Sequence, residues 1–188
     1  GAVDISYGGG GVTCGATSGV GTLTLNGVTV DNNTATQGPG GGIASGACGN
    51  LTIVNSTISN NTAGSAIAKT GGGVDYLSQC AGGSQLHISN STFSGNRATY
   101  TGDAGGGLHI SGGTATIQRS HFVNNRAANA SLTATGLGGA IAHLGGTLNV
   151  SFSRFVGNVG TNGSGIWQTN GGATTADDSS VGVSIPIG

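Results

Sequence analysis

Apolar residues in this 188-residue chain fall at every second position in short bursts, and the bursts repeat. The clearest block reads Leu23-Thr-Leu25 followed by Val30-Asp-Asn-Asn33. It returns as Leu51-Thr-Ile53 with Ile58-Ser-Asn-Asn61, and as Leu86-His-Ile88 with Phe93-Ser-Gly-Asn96. Two further copies are Ala115-Thr-Ile117 with Phe122-Val-Asn-Asn125, and Leu148-Asn-Val150 with Phe155-Val-Gly-Asn158. In each copy the last Asn stands ten residues after the first apolar position and follows an Asn or a Gly. Five residues into the block come Val28, Ser56, Ser91, Ser120 and Ser153. A sixth copy fades, with Thr174, Ala176 and Val181 in the apolar slots and Ser184 where the Asn is expected. Apolar residues alternating with polar ones predict a strand with one buried face. The Asn/Gly-Asn pair predicts a corner, because these residues tolerate the left-handed conformation that other L-residues avoid.

A second block, Gly-x-x-apolar, alternates with the first. It spans Gly9 to Val12, Gly40 to Ile43, Gly71 to Val74, Gly105 to Leu108, Gly138 to Ile141 and Gly163 to Ile166. Here the leading Gly predicts another tight corner, where backbone packs on backbone. Length varies only between blocks: 10, 13, 12, 16 and 8 residues run from the Asn to the next Gly-block apolar residue. Fixed blocks joined by variable connections predict coils of constant section with protruding loops. One coil cannot bury its apolar stripe alone, so neighbours must stack. The expected fold is all-β: a single parallel β-helix over 1–188, of about six coils. Complete coils should run over about 8–166, with a degenerate last coil and tail at 167–188. Asn33, Asn61, Asn96, Asn125 and Asn158 should form one column, and Gly9, Gly40, Gly71, Gly105, Gly138 and Gly163 another. A helical solenoid is excluded, since Gly at this density costs a helix about 1 kcal/mol per residue.

Composition sharpens this picture. Gly supplies 41 residues, only 6% of residues are charged, and there are two Pro. Disordered chains are usually rich in charge and Pro, so the glycines read as repeated turns. Net charge is −1, and Arg97, Arg119, Arg126 and Arg154 are scattered singly along the chain. That argues against nucleic acid as a partner, which needs a basic patch. No run of 18 apolar residues is present, so no transmembrane helix is expected. The chain starts at Gly1 without a signal peptide, as in a matured product or a piece of something longer.

Gly138-Gly139-Ala140-Ile141 followed by Phe155-Val-Gly-Asn158 resembles the signature of polymorphic outer-membrane protein repeats. Gly71 to Val74 with Phe93 to Asn96, and Gly105 to Leu108 with Phe122 to Asn125, resemble it with conservative changes. The resemblance covers roughly residues 8 to 166. It implies a right-handed coil, a bacterial surface or extracellular location, and a role as adhesin or surface structure. It implies no active site, because the motif residues build coils. The chain departs from autotransporters of that kind in lacking a C-terminal membrane-barrel pattern. In such a secreted setting one disulfide is expected among Cys14, Cys48 and Cys80, which occupy the same connection of three consecutive coils. Cys48–Cys80 is favoured ahead of Cys14–Cys48, with the odd thiol free or paired between molecules.

Parallel β-helices also host polysaccharide lyases and hydrolases, which use clustered carboxylates. Asp31, Asp75 and Asp103 fall in different slots, Asp4 is terminal, and Asp177-Asp178 would point to opposite faces of a strand. No acid/base pair is therefore expected. His87, His109, His121 and His143 lack metal-ligand spacing and read as outward decoration. Arg97 and Arg126 both follow the corner Asn, so they either contact an anion or sugar side by side or are solvated loop residues. Tyr76, Tyr100 and Trp167 occupy unrelated slots, and Trp167 is expected to cover the thinning last coil. An outward slot holds Thr29, Thr57 and Thr92, then breaks at His121 and Arg154, too short an array for an ice-binding face. Asn-x-Ser/Thr at Asn55, Asn90 and Asn129 reads as compositional.

The function expected is a non-catalytic extracellular structural or adhesive protein, with no catalytic, cofactor or metal residues. Its partners would be further copies of itself, through open coil ends, giving a filament. Alternatives are an adhesin passenger that binds glycans or other surface proteins and, behind it, a polysaccharide-active enzyme.

Overall fold

The computed structural model describes residues 10–14, 21–46, 49–64, 70–78, 83–99, 104–127, 138–169, 171–177 and 183–184. Within them every strand pairs in parallel with its counterpart one coil away, as a β-helix requires. Four long sheets run along the rod, beside a two-stranded one of Thr70–Gly71 and Ala104–Gly105. Sheet 1 carries the apolar end of each Gly block, in seven strands: Val12–Cys14, Ile43–Ser45, Val74–Tyr76, Leu108–Ile110, Ile141–His143, Ile166–Gln168 and Val183–Ser184. Sheet 2 carries the Leu-x-Leu segments in six: Gly21–Asn26, Gly49–Val54, Gln85–Ser89, Thr114–Gln118, Gly146–Ser151 and Gly172–Asp177. Sheet 3 has five: Thr29–Asp31, Thr57–Ser59, Thr92–Ser94, His121–Val123 and Arg154–Val156. Sheet 4 has five two-residue strands just past each corner Asn: Thr34–Ala35, Thr62–Ala63, Arg97–Ala98, Arg126–Ala127 and Val159–Gly160. Five coils therefore carry all four strands, and four full turns separate the first from the fifth.

Register stacks like on like. Leu23, Leu51, Leu86, Ala115, Leu148 and Thr174 share one column, and Leu25, Ile53, Ile88, Ile117, Val150 and Ala176 the next. Val30, Ile58, Phe93, Phe122 and Phe155 form a third. The Phe93 and Phe122 rings stack with centroids 4.7 Å apart, and Phe122 and Phe155 at 4.9 Å. Those spacings fall within the range where aromatic pairs add to their area burial, and apart from Thr174 and Ala176 the columns make one continuous core.

The corner asparagines form the expected column, and its interior bonding is complete. Asn33 Nδ2 donates to Asn61 Oδ1 at 2.9 Å, Asn61 to Asn96 at 3.0 Å, Asn96 to Asn125 at 2.9 Å and Asn125 to Asn158 at 2.9 Å. Each of those Oδ1 atoms also accepts the backbone N–H of the preceding Asn, at 3.0–3.1 Å. The second Nδ2 hydrogen goes back one coil, from Asn61 to Val30 O, Asn96 to Ile58 O, Asn125 to Phe93 O and Asn158 to Phe122 O. A buried amide is costly unless satisfied, and here each interior one is. Beside it runs a serine ladder: Val28, Ser56, Ser91 and Ser120 each donate a backbone N–H to the Oγ one coil on. Each Oγ in turn donates to the carbonyl two residues earlier.

Glycine closes the section. Gly40, Gly71, Gly105, Gly138 and Gly163 stack in a column of backbone bonds and bridges, as expected; Gly9 lies outside the described residues. The following glycines carry the tighter constraint. A Cβ on Gly72 would run into the Gly106 carbonyl and the Arg97 backbone, and one on Gly42 would sit 2.9 Å from Asn61 Cγ. The Gly block and the Asn corner of one coil thus touch across the rod.

Two left-handed bends five residues apart recur in all five coils, and Gly40, Gly83, Gly113 and Gly146 add further positive-φ positions. One is the expected bend at Asn32, Asn60, Gly95, Asn124 and Gly157, with φ between 52° and 63°. The other, at Gly27, Asn55, Asn90, Arg119 and Phe152, escapes the sequence pattern because its last two members are residues that avoid φ > 0. Ser184 is a correction: it pairs with Trp167 in sheet 1 and is not a sixth corner residue. Only five residues separate Asp177 from Val183, too few for the two corner strands and the connection that earlier coils place there.

Replacing Asn96 by Ala would strand the Asn61 backbone N–H and one Asn61 Nδ2 hydrogen in the interior. A loss of roughly 3–5 kcal/mol is expected from chemical denaturation. Asn33→Ala, on the half-buried first rung, should cost about 1 kcal/mol; equal losses would refute the ladder account. Phe152→Asn should instead stabilise by roughly 0.5–1 kcal/mol, since relief of the left-handed strain outweighs the lost Arg119–Phe152 contact.

Candidate functional site

Sheet 1 differs from the others in burying both faces. Val74 and Tyr76 point into the core, so Asp75 between them faces outward, in line with His109 one coil on. By register the column reads Thr13, Ala44, Asp75, His109, Ala142, Trp167 and Ser184. Asp75 and His109 have no exposed surface, and Asp75 Oδ1 lies 2.6 Å from His109 Nδ1. Burial pushes the Asp75 carboxyl up from the usual carboxylate range, and the facing imidazole only partly offsets this. Asp75 Oδ2 and His109 Nε2 are buried without a hydrogen-bond partner, as are Thr70 Oγ1, His143 Nε2 and Trp167 Nε1.

A carboxylate that orients an imidazole through Nδ1 and leaves Nε2 open is the pairing of a general base. Expectation treated His109 as surface decoration, and that is corrected: coil register brings it onto Asp75. The remaining described members of the outward column are Thr13, Ala44, Ala142, Trp167 and Ser184, and the rungs next to the pair hold only Ala44 and Ala142. Chemically the pair can hold or exchange a proton, and both side chains are buried. No group of three or more His, Cys, Asp or Glu that could hold a metal ion is found among the described residues.

The other candidates separate. Asp31 is exposed on the first rung of sheet 3 and accepts hydrogen bonds from Ser59 Oγ (2.6 Å), Asn60 Nδ2 (2.9 Å) and Asn32 Nδ2 (2.5 Å). Ser59 and Asn60 chiefly hold its carboxyl below the usual range. It lies in a different sheet from Asp75, so these carboxylates do not meet, while Asp4, Asp103 and Asp178 fall outside the described residues. Asp177 ends the last strand of sheet 2. His121 is exposed in the slot of Thr57 and Thr92, as expected, and His87 is half-buried on sheet 2. His143 is buried, again contrary to expectation, with Nδ1 3.1 Å from Thr174 Oγ1; burial pushes its imidazole below the ordinary value. Tyr76 is also buried, its hydroxyl donating to Gly49 O, and burial pushes it up to about 12. Trp167 does not cover the coil end: it packs with Ala142 and Leu144 against sheet 1. Tyr100, Cys48 and Cys80 lie outside the described residues. Cys14 carries a free thiol at the end of a sheet 1 strand, and both expected pairings involve Cys48, outside the described residues.

The model of the family described as right-handed β-helix region matches residues 4–181. The chain belongs to that family. The β-helix is therefore right-handed, as the repeat resemblance implies. No curated protein and no solved structure matches it. No helix among the described residues is long and apolar enough to cross a membrane.

In this β-helix His143 has a lowered folded pKa, so its contribution to stability is present above the unfolded value of about 6.5 and lost as pH falls below it. Asp75, with a raised folded pKa, acts in the opposite sense: its contribution is present below the ordinary carboxylate value and lost as pH rises. His143→Gln should therefore flatten the fall in melting temperature between pH 7 and pH 5. An unchanged slope would show that His143 titrates alike in both states.

Proposed function

We propose that this β-helix is a non-catalytic extracellular structural or adhesive protein, and that it stacks end to end into a surface filament. The observation that carries the reading is the direction of the Asn ladder. Every rung donates to the amide oxygen of the next, so the first described rung presents Asn33 Oδ1 with no donor on it. At the other end Asn158 keeps a backbone N–H and an Nδ2 hydrogen that no described residue accepts. On the ladder and on sheets 3 and 4, each end thus offers what the other end of a second copy needs, while sheets 1 and 2 run on past Asn158. Arg154–Val156 and Val159–Gly160 are likewise the last strands of sheets 3 and 4, and Thr29–Asp31 and Thr34–Ala35 the first. Joining unlike ends generates an open filament and not a closed ring. The Gly-Gly-Ala-Ile and Phe-x-x-Asn signature supports a bacterial surface setting, and a charge content of 6% leaves little repulsion to oppose stacking.

Gel filtration and negative-stain imaging over a hundredfold range of concentration should show rods that lengthen as concentration rises. A strictly monomeric protein at every concentration ends the filament reading. An adhesin that binds glycans is the alternative, for which the register pair Arg97 and Arg126 on sheet 4 is the supporting observation. A polysaccharide-active enzyme is the further alternative, and products released from acidic polysaccharides, with or without Ca²⁺, would replace the non-catalytic reading with it.

A further inference from the structure

Sheet 2 turns one face to solvent, and that face carries a repeat in two directions. On its first strand Leu23 and Leu25 turn inward, so Thr22, Thr24 and Asn26 turn out. The same alternation holds on the next four strands. Register then sets the outward residues in columns. One column reads Thr24, Thr52, His87, Thr116, Asn149 and Thr175. Beside it stand Thr22, Thr114 and Thr147, with Asn50 and Gln85 between the first two and Ala173 last. All of these residues are exposed or half-buried.

Charge is kept off both columns, in which His87 is the one titratable group. Arg97 and Arg126 stand on sheet 4, Asp31 and Arg154 on sheet 3, Arg119 at a bend, and Asp75 on sheet 1. Among the described acids and bases only Asp177 joins His87 on sheet 2, at the end of the last strand in a third outward column. Threonine is common in strands for its own sake. Yet the outward slot of sheet 3 passes from Thr92 to His121 and Arg154, and that of sheet 4 from Thr62 to Arg97 and Arg126. Strand propensity alone therefore does not explain columns free of arginine, lysine and carboxylate over six rungs.

Spacing adds a second constraint. Rungs lie about 4.8 Å apart, and alternate residues along one strand about 6.6 Å apart. Both intervals are near the oxygen repeats on a prism face of hexagonal ice. Threonine offers each point of that grid a hydroxyl and a methyl group. Its branched Cβ leaves little rotamer freedom, so holding the side chain against a solid costs little entropy. The Asn and Ser ladders fix the rungs from inside, and side-chain ladders are one device that keeps a many-stranded sheet flat.

We propose that the solvent face of sheet 2 binds ice, through water ordered on its threonine columns at the spacing of the crystal. The chemistry of the two columns carries the choice of partner. A polyanion needs a basic patch, and a stacked sugar ring needs an aromatic side chain; neither column holds an Arg, Lys, Phe, Tyr or Trp. Neutral hydroxyls at fixed intervals suit a partner that is itself rigid, periodic and uncharged. The threonines of sheet 3 stop after three rungs, whereas sheet 2 sets two columns side by side over six. This goes beyond the structural role above and does not depend on polymerisation.

The test is partition of the intact protein into a slowly grown ice hemisphere, with thermal hysteresis read on the same samples. The protein is expected to enter the ice and to depress the freezing point below the melting point. Thr52→Arg/Thr116→Arg should cut the hysteresis about tenfold with the melting temperature of the protein unchanged, whereas Thr57→Arg on sheet 3 should leave it as it was. Thr24→Arg/Thr147→Arg, at exposed positions, supplies a second pair if the first fails to fold. Gln85→Thr/His87→Thr, which mends the interrupted third rung, should raise the hysteresis. Exclusion from the ice, hysteresis indifferent to both Arg pairs, or an equal loss in Thr57→Arg overturns the proposal. So does adsorption to crystalline cellulose or chitin in place of ice.

Discussion

Amide bonded to amide along the axis is the interaction on which the rest of this rod depends. Hydrophobic columns alone would tolerate one coil sliding past the next by two residues, because the apolar period along a strand is two. The corner asparagines remove that freedom. Each interior amide bonds the coil behind and the coil ahead, and takes a backbone N–H as well. A slip would leave several buried donors without acceptors at once, a far larger penalty than a misplaced methyl group. The serine ladder repeats the device a few residues away. Between the two, the phenylalanines of sheet 3 have little choice but to stack.

Much of this was legible in the chain because the same constraint acts on every coil and so is written several times. Five asparagines ten residues past a Leu-like position, and glycines before each Ile-like one, are what a translational repeat imposes. What could not be read is what occurs once. Asp75 and His109 are 34 residues apart, in a column whose other described members are Thr13, Ala44, Ala142, Trp167 and Ser184. No repetition marks that pair, and the register that joins it follows only after the coils are aligned across connections of unequal length. The same unequal lengths misplace Ser184, where counting forward from Asn158 assumes a coil the chain does not complete. The second bend was hidden for a different reason. Arg119 and Phe152 are held at positive φ by the coil on either side, against their own preference.

Inside and outside thus obey different rules. Core columns repeat nearly the same residue on each rung, whereas the outward slots of sheet 3 run from Thr29, Thr57 and Thr92 to His121 and Arg154 without disturbing a single strand pairing. Arginines that look isolated along the chain come together because the coil brings every thirtieth or so residue to the same side. A surface assembled this way can vary in chemistry from one rung to the next while the backbone beneath it stays the same.

The contact between Gly42 and the Asn61 amide, repeated at Gly73 and Asn96, has an evolutionary corollary. With backbone already against side chain across the section, the perimeter of a coil has no slack into which one extra residue could be absorbed. Indels are confined to the connections, or else must arrive as a whole added lap that supplies its own glycine, serine and asparagine. Growth of such a gene is therefore quantised, and its history would be read in laps gained and lost.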